Sequence, residues 1–336
     1  MSQERKKIEA RIGEKDDPES KLKAELGRLS EDESKEAVLL KVDAGNCGGV
    51  DKVDRIAKAL VRLSRPHWIL VLGFGLNDLE SVPDSVWELA GVEELGLGNN
   101  KLKTISPAIS KLTKLRKLRI EWNPLEGFPE AVCQLDQLEM LSVFGCQLSV
   151  LPSSFASLRD LILLDLERNT FEQFPEVICE LRSLVNLFVD HNDMSSLPPS
   201  FANLRELRIL DISNNRFKEF PRVVCQLPNL VNLFMHNNQL SELPLAITKL
   251  VRLVSLRLDD NQFTSFPLFL GELPQLSTFY LLGWFNLLVY CRAHNWRRQS
   301  YSGSSTTSQR LRITSLFQRA QRDCSFNGHH RCWFLL

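Results

Sequence analysis

Three cysteines recur at a fixed interval and could act as metal ligands or nucleophiles. Cys133, Cys179 and Cys225 are 46 residues apart and lie in near-copies of one phrase: FPEAVCQL, FPEVICEL and FPRVVCQL. The chain has eight cysteines, and its first residues lack the apolar core of a secretory signal. This combination favours a reducing compartment and free thiols. The regular interval leaves two interpretations open, chemistry or architecture.

Other residue types that support catalysis or metal binding occur without a productive pattern. Cys324, His329, His330 and Cys332 carry ligand atoms, but their C-x4-H-H-x-C spacing matches no usual zinc arrangement. The sequence contains no GxxxxGK[ST] phosphate loop, no HExxH helix and no GxSxG elbow. We therefore expect no enzymatic activity, no metal and no cofactor.

The interval of 46 residues is twice a shorter period that runs through most of the chain. Asparagine recurs every 23 residues, with a cysteine at the midpoint of the one longer gap. These turn residues are Asn77, Asn100, Asn123, Cys146, Asn169, Asn192, Asn215, Asn238 and Asn261. A leucine lies five residues before and twelve residues after each of them. Such a period predicts a repeat architecture.

The repeating pattern, LxxLxLxxNxLxxLPxxIxxL, resembles the leucine-rich repeat family in its 23-residue cytosolic class, over residues 68–282. The resemblance implies an α/β leucine-rich repeat solenoid. This fold is a curved stack with a parallel sheet on its concave face and irregular or short helical segments on its convex side. The class occurs in Ras-pathway scaffolds, Scribble-like polarity proteins and the N-terminal arms of Roco GTPases.

Elementary geometry agrees with this fold. The LxL motif alternates with the period of a β-strand, and stacked short strands bury their leucines continuously. The asparagine stands where the chain leaves the strand. There its amide can satisfy backbone groups that have no sheet partner.

The repeat also offers an interpretation of the three cysteines. Ten residues after each turn residue, every position beyond Trp87 is small: Ser110, Cys133, Ala156, Cys179, Ala202, Cys225, Thr248 and Gly271. Such a position selects for volume, and a free cysteine behaves as a small apolar residue. Cysteines two repeats apart would be separated by roughly 10 Å, too far for a disulfide or a shared metal. We predict that these thiols are architectural.

The chain divides into four segments by composition. Residues 1–36 are highly charged and are expected to be disordered or a solvated helix. Residues 37–66 predict an N-terminal cap with a helix, whose apolar stripe is Val50, Val53, Ile56, Leu60 and Leu63. Residues 67–282 hold nine full repeats and one partial repeat. Residues 283–336 form a basic, irregular tail, and we hypothesise that it is a truncated or misread product rather than the natural continuation.

The repeat register identifies side chains that point away from the core. They lie four, two and one residues before each turn residue, where folding makes no demand on them. The predicted partner-binding residues in these positions are Trp122, Phe144, Asp165, Glu167, Phe188, Asp190, His191, Asp211, Phe234, His236 and Asp259. Aromatic side chains rimmed by acids are typical of interaction hot spots. The acids predict a partner with a basic patch and argue against nucleic acid on the concave face.

These features favour a non-catalytic, cytoplasmic interaction module or signalling scaffold, expected to be monomeric. The resemblance implies a small GTPase or a phosphatase as the type of partner. An alternative is the recognition arm of a larger enzyme, such as a Roco-type GTPase, whose catalytic domain is absent from this chain. The longest apolar run, residues 279–291, is too short to span a bilayer, so no membrane span is expected.

Overall fold

The computed structural model describes residues 6–27, 38–63, 68–265 and 267–280. The predicted tail, residues 283–336, lies outside the described residues. Two compact units are distinguished: Met1–Phe171 with Pro175–Leu184, and Glu172–Phe174 with Val185–Leu336. The division falls inside the predicted repeat array, and both units are leucine-rich repeat solenoids.

The described residues of the first unit form seven parallel strands in sequence order. They are β1 (Lys6–Arg11), β2 (Val38–Asp43), β3 (Ile69–Gly73), β4 (Val92–Gly96), β5 (Lys117–Arg119), β6 (Met140–Ser142) and β7 (Leu163–Asp165). Helices α1 (Pro18–Leu26) and α2 (Val50–Leu63) follow β1 and β2. Later repeats return through 3₁₀-helices: Asp84–Glu88, Pro107–Lys111, Glu130–Gln134, Ser153–Ser157 and Glu176–Glu180.

The second unit repeats the same plan, with five parallel strands among its described residues. They are β8 (Asn186–Phe188), β9 (Ile209–Asp211), β10 (Asn232–Phe234), β11 (Ser255–Arg257) and β12 (Thr278–Tyr280). Its 3₁₀-helices are Pro199–Asn203, Arg222–Gln226, Leu245–Lys249 and Leu268–Glu272. The last strand belongs to the partial tenth repeat, and its Phe279 is buried like the leucines before it.

Strand register reproduces the sequence period. Glu94 pairs with Lys117, and Asn232 pairs with Ser255, in each case 23 residues further along the chain. In β5, Leu118 is fully buried. Its sequence neighbours Lys117 and Arg119 project from the other side of the sheet. The predicted alternation of the LxL motif is therefore observed, and the leucines form the core of each unit.

The N-terminal segment is more ordered than its composition suggests. Residues 6–26 form β1 and α1, whose buried residues include Ala10, Ile12 and Leu22, so the expectation of disorder or a solvated helix does not hold for them. The Lys52 ammonium group, on α2, donates to the carbonyl oxygens of Gly13 (2.8 Å) and Glu14 (2.5 Å). Charged residues dominate the composition of residues 6–26. The few apolar side chains nevertheless alternate along β1, which pairs with β2.

The predicted stripe of α2 is buried only in its middle. Val53, Ile56 and Leu60 are fully buried, whereas Val50 at the start of the helix is 46% exposed. Ala57 and Ala59 complete the buried face. The first and last turns of α2 therefore contribute less to the core than its middle.

The turn asparagines bridge neighbouring repeats. The Oδ1 atom of Asn123 accepts from the backbone N–H of Leu102 (3.0 Å), in the preceding repeat. Its Nδ2 group donates to the carbonyl oxygens of Leu97 (3.1 Å) and Ile120 (2.8 Å). The same pattern recurs at Asn100, Asn169, Asn215, Asn238 and Asn261. Each amide therefore satisfies buried backbone groups of two repeats at once.

Cys146 reproduces only half of this arrangement. Its thiol donates to the carbonyl oxygen of Ile120 (3.2 Å) but offers no amide oxygen to the preceding repeat. The N–H of Leu125, which an asparagine would have served, bonds instead to the carbonyl oxygen of Asn123 (2.9 Å). Burial raises the pKa of the Cys146 thiol to about 11, so the group remains a neutral thiol.

The three regularly spaced cysteines have the environment expected of architectural residues. Cys133, Cys179 and Cys225 are buried free thiols on 3₁₀-helices. Burial raises the pKa of the Cys133 thiol, and it raises that of Cys225 to about 11. A reactive thiol needs a lowered pKa and access to solvent, so neither group is suited to nucleophilic chemistry.

Replacing Cys146 with asparagine is expected to stabilise the protein. The Cys146→Asn amide would supply the missing acceptor, and the free energy of unfolding should rise by about 1 kcal/mol. The control Cys146→Ala removes the thiol donor and should lower it by about 1 kcal/mol. Urea denaturation followed by circular dichroism measures both changes. Equal losses in the two variants would contradict the proposed role of the amide.

Candidate functional site

The candidate site is the outward side of the strands, which we call the strand face. It comprises the side chains four, two and one residues before each turn residue. In the first unit the predicted binding residues on this face are Trp122, Phe144, Asp165 and Glu167. In the second unit they are Phe188, Asp190, His191, Asp211, Phe234, His236 and Asp259.

The residue directly before each turn residue has a left-handed backbone. These residues, with their φ angles, are Leu76 (59°), Asn99 (54°), Trp122 (53°), Gly145 (64°), Arg168 (51°), His191 (51°), Asn214 (50°), Asn237 (51°) and Asp260 (54°). Glycine, asparagine and aspartate tolerate this conformation, whereas bulky side chains there are strained. The conformation belongs to the repeat, but the choice of Trp122 at such a position does not follow from folding.

Aspartates of the second unit are satisfied within the strand face. Asp190 lies 2.8 Å from Nδ1 of His191, and Asp259 accepts from Arg257 at 3.0 and 3.1 Å. Asp190 is 7% exposed and Asp259 is 5% exposed, although the register predicts that both point away from the core. Because neighbouring strands are only about 4.8 Å apart, outward side chains cover one another. The ion-paired carboxylates are therefore buried against the sheet.

The phenylalanines of the second unit are separated by an acid. Asp211 pairs in register with Phe188 on one side and with Phe234 on the other, so the two rings are not neighbours. The Asp211 carboxylate accepts from the Ser213 backbone N–H (3.0 Å) and hydroxyl (2.6 Å). Both rings are half-buried, which leaves apolar surface available beside a negative charge.

His236 lies in the same region and is neutral near physiological pH. Burial lowers the pKa of its imidazole, and the neighbouring Arg257 guanidinium lowers it further. Its Nδ1 atom is buried and has no hydrogen-bond partner among the described residues. The strand face of the second unit therefore takes its negative charge from the aspartates.

A different arrangement occurs in the first unit, at Glu121, Trp122 and Phe144. The Trp122 and Phe144 rings meet edge to face, with centroids 4.7 Å apart and an interplanar angle of 64°. Trp122 is 45% exposed, and its ring lies over Gly145, where a Cβ atom would be 2.7 Å from the indole. Glu121 lies over Gly98, where a Cβ atom would be 2.7 Å from the carboxyl carbon. Two glycines thus make room for the two side chains.

Glu121 was not singled out by the sequence pattern, yet it is the electrostatically unusual member of this group. Burial raises the pKa of its carboxyl group, with Arg119 opposing and Asp165 adding to the rise. Its Oε2 atom is buried and has no hydrogen-bond partner among the described residues. The sequence pointed to Glu121 only through its place in the repeat. Glu121 directly precedes Trp122 and takes the outward position that Gly98 holds in the preceding repeat.

Asp165 is better satisfied than Glu121. It accepts from the Ser142 hydroxyl (3.1 Å) and from the backbone N–H of Glu167 (3.1 Å). Burial still raises the pKa of its carboxyl group. Glu167 forms an ion pair with Arg168 at 3.1 Å. The arrangement of this unit offers aromatic surface and desolvated carboxylates, which suits recognition of a cationic surface.

Comparisons with known proteins agree with the fold. Residues 85–196 match the model of a leucine-rich repeat region, and residues 206–227 match the model of a leucine-rich repeat. No curated protein sequence matches the chain. Together with the repeats seen in the structure, these matches show that the chain is a leucine-rich repeat protein.

Solved structures with a similar fold come from several sources. A leucine-rich repeat protein of Leptospira interrogans aligns over 76% of this chain and 75% of its own, with 23% identity and a TM-score of 0.53. A TDR receptor aligns over 75% of this chain and 44% of its own, with 25% identity and a TM-score of 0.59. The PEPR1–AtPEP1 structure aligns over 73% of this chain and 38% of that one, with 26% identity and a TM-score of 0.57. The chain thus spans less than half of the last two.

The helices of the described residues are not of the kind that spans a bilayer. None of them is both long enough and apolar enough to cross a membrane. The apolar run at residues 279–291 lies mostly outside the described part of the chain.

Neutralising Glu121 is expected to stabilise the protein at neutral pH. The folded-state pKa of Glu121 is raised above its ordinary value of 4.5, so at pH 7 the buried charge opposes folding. Glu121→Gln should therefore raise the unfolding midpoint at pH 7. This gain should disappear as the pH falls towards 4.5, because the wild-type carboxyl becomes protonated first in the folded state. Glu126→Gln, at an exposed acid of the same repeat, is the control, and an equal gain there would contradict the role of burial.

The contact between Trp122 and Gly145 can be tested by a double-mutant cycle. Gly145→Ala should destabilise the protein by about 1–2 kcal/mol through its left-handed backbone, and further through overlap with the indole. In a Trp122→Asn background only the backbone contribution should remain. Gly127→Ala, where a Cβ would meet no atom within 4 Å, should change stability by less than about 0.5 kcal/mol. Equal effects of Gly145→Ala in both backgrounds would exclude the packing of the ring on Gly145.

Proposed function

We propose that this chain is a non-catalytic protein–protein interaction module whose strand face binds a partner through the partner's basic patch. The observation that carries the proposal is Trp122, an indole 45% exposed on a strained left-handed backbone. Folding gains nothing evident from a large apolar ring in that place, and aromatic side chains dominate interface energetics. Leucine-rich repeats are typical of interaction modules, which agrees with this role.

Charge supports a basic partner. Carboxylates on the strand face include Glu121 and Asp165 in the first unit and Asp211 in the second, and burial raises the pKa values of the first two. A basic surface would compensate these desolvated charges and would be steered towards them. The same charges would repel the phosphates of a nucleic acid, so a protein is the more suitable partner.

The type of partner is proposed on the resemblance to the 23-residue repeat class. We propose a cytoplasmic signalling scaffold, with a small GTPase or a phosphatase as partner and the chain itself a monomer. A TDR receptor is among the chains of similar fold, so recognition is one of the uses to which this fold is put.

The proposal predicts that substitutions on the strand face abolish capture of a partner. Full-length protein should retain a protein from cell lysate, and a triple variant with Asp165→Lys, Asp211→Lys and Phe188→Ala should reduce its recovery about tenfold or more. The measurement is affinity capture followed by mass spectrometry, with circular dichroism to verify folding.

A matched control carries similar changes on the 3₁₀-helices. It combines Glu180→Lys, Glu272→Lys and Leu245→Ala, all at exposed positions. The control should capture the same protein as the parent. Recovery of the same proteins by the strand-face variant would overturn the assignment of the binding surface.

A further inference from the structure

We propose that the corner formed by Glu121, Trp122 and Phe144 binds a guanidinium or ammonium group that projects from an extended segment of the partner protein. This inference rests on the proposed function and deepens it. It specifies where on the strand face the partner is anchored and which chemical group anchors it.

The aromatic part of the corner is prepared for a cation. The Trp122 and Phe144 rings stand edge to face at 4.7 Å, which fixes the orientation of the indole and leaves much of it in solvent. Gly145 allows the ring to lie close to the sheet. A cation over the face of a tryptophan is attracted by the ring quadrupole, and tryptophan is the strongest of the aromatic residues in this respect.

Glu121 provides the charge that the aromatic rings lack. It directly precedes Trp122, with its carboxylate over Gly98 of the preceding repeat and the indole over Gly145 of the next. A cation on the indole face would therefore lie beside the negative charge of Glu121. Its Oε2 atom is buried and lacks a hydrogen-bond partner among the described residues, so the carboxylate is poorly solvated and the charge of a nearby guanidinium or ammonium group would stabilise it. Arg119 acts on Glu121 through its charge, while its Nη2 group is directed to the sulfur of Met140 at 3.8 Å.

The surroundings leave room for the chain that would carry the cation. Beside Glu121, the outward positions of β3 and β4 and of the turns after them are glycines. Gly73, Gly75 and Gly96 present no side chains, and Gly98 is covered by the Glu121 carboxylate. A backbone can therefore approach the sheet closely next to the corner. These glycines explain how an extended segment of the partner fits against the sheet, while recognition depends on Glu121, Trp122 and Phe144.

Other occupants fit the corner less well. A divalent metal ion requires several carboxylate or carbonyl oxygens and gains little from an indole face. An anionic group would be repelled by Glu121 and by Asp165, the other acid that acts on it. A neutral apolar side chain would desolvate the Glu121 carboxylate further without compensating its charge.

The test uses full-length protein and short capped peptides of glycine and serine with one central residue. That residue is arginine, lysine or citrulline, the last being a neutral analogue of arginine. Binding is followed by NMR through the indole N–H signal of Trp122, which is assigned by its absence in Trp122→Asn. We expect the arginine or lysine peptide to shift this signal, and citrulline to bind about tenfold more weakly.

Variants of the corner locate the binding. Glu121→Gln should weaken binding of the cationic peptide about tenfold. Glu126→Gln in the same repeat and Val150→Asn, at an exposed apolar residue of the next repeat, should leave it unchanged. Equal affinity for citrulline, no effect of Glu121→Gln, or no shift of the Trp122 signal would each overturn the proposal.

Failure of this inference can be distinguished from failure of the proposed function. A partner captured through the strand face but retained by both Trp122→Asn and Glu121→Gln would refute the cationic anchor and leave the interaction module intact. Capture that is insensitive to the strand-face triple variant, together with binding of the cationic peptide at the corner, would refute the proposed function alone.

Discussion

The structure depends on satisfying buried backbone groups where the chain leaves each strand. These groups have no partner in the sheet, and leaving them unpaired would carry the full penalty of desolvation. The asparagine amide solves the problem for two repeats at once, because Asn123 serves Leu102 and Leu97 of the preceding repeat as well as its own turn. In repeats of 23 residues the amide reaches the same backbone atoms each time, as Asn100 and Asn123 do, and this regular spacing keeps the leucines aligned in the core.

The same constraint determines what is free to vary. The left-handed residue before each turn residue and the outward positions of the strand are fixed in place by the repeat, but their side chains are not required for it. Trp122 and Asn99 occupy equivalent positions with nearly the same φ angle, although one is bulky and exposed and the other is small and suited to the turn. A partner can therefore select residues on the strand face without disturbing the core.

Periodicity in the sequence was sufficient to predict the strands, the turn asparagines and the small volume available at Cys133. It could not predict β1 and α1, because a short alternation of Ile8, Ala10 and Ile12 is hidden in a highly charged segment. It also placed Asp190 and Asp259 among the outward residues without indicating that pairing with His191 and Arg257 buries them. Burial of that kind depends on side-chain conformations across neighbouring positions, which a register does not contain.

Several departures from the repeat pattern lie close together in the first unit. Trp122 occupies a position suited to asparagine or glycine, and Glu121 holds a carboxylate that burial disfavours. In the next repeat Gly145 makes room for the indole. Cys146 lacks the amide oxygen with which the turn asparagines accept from the preceding repeat. The choices of Trp122, Glu121 and Cys146 each work against local stability, and sequences commonly violate folding rules at functional sites. Three such residues in two adjacent repeats are better explained by a requirement of binding than by independent tolerated defects.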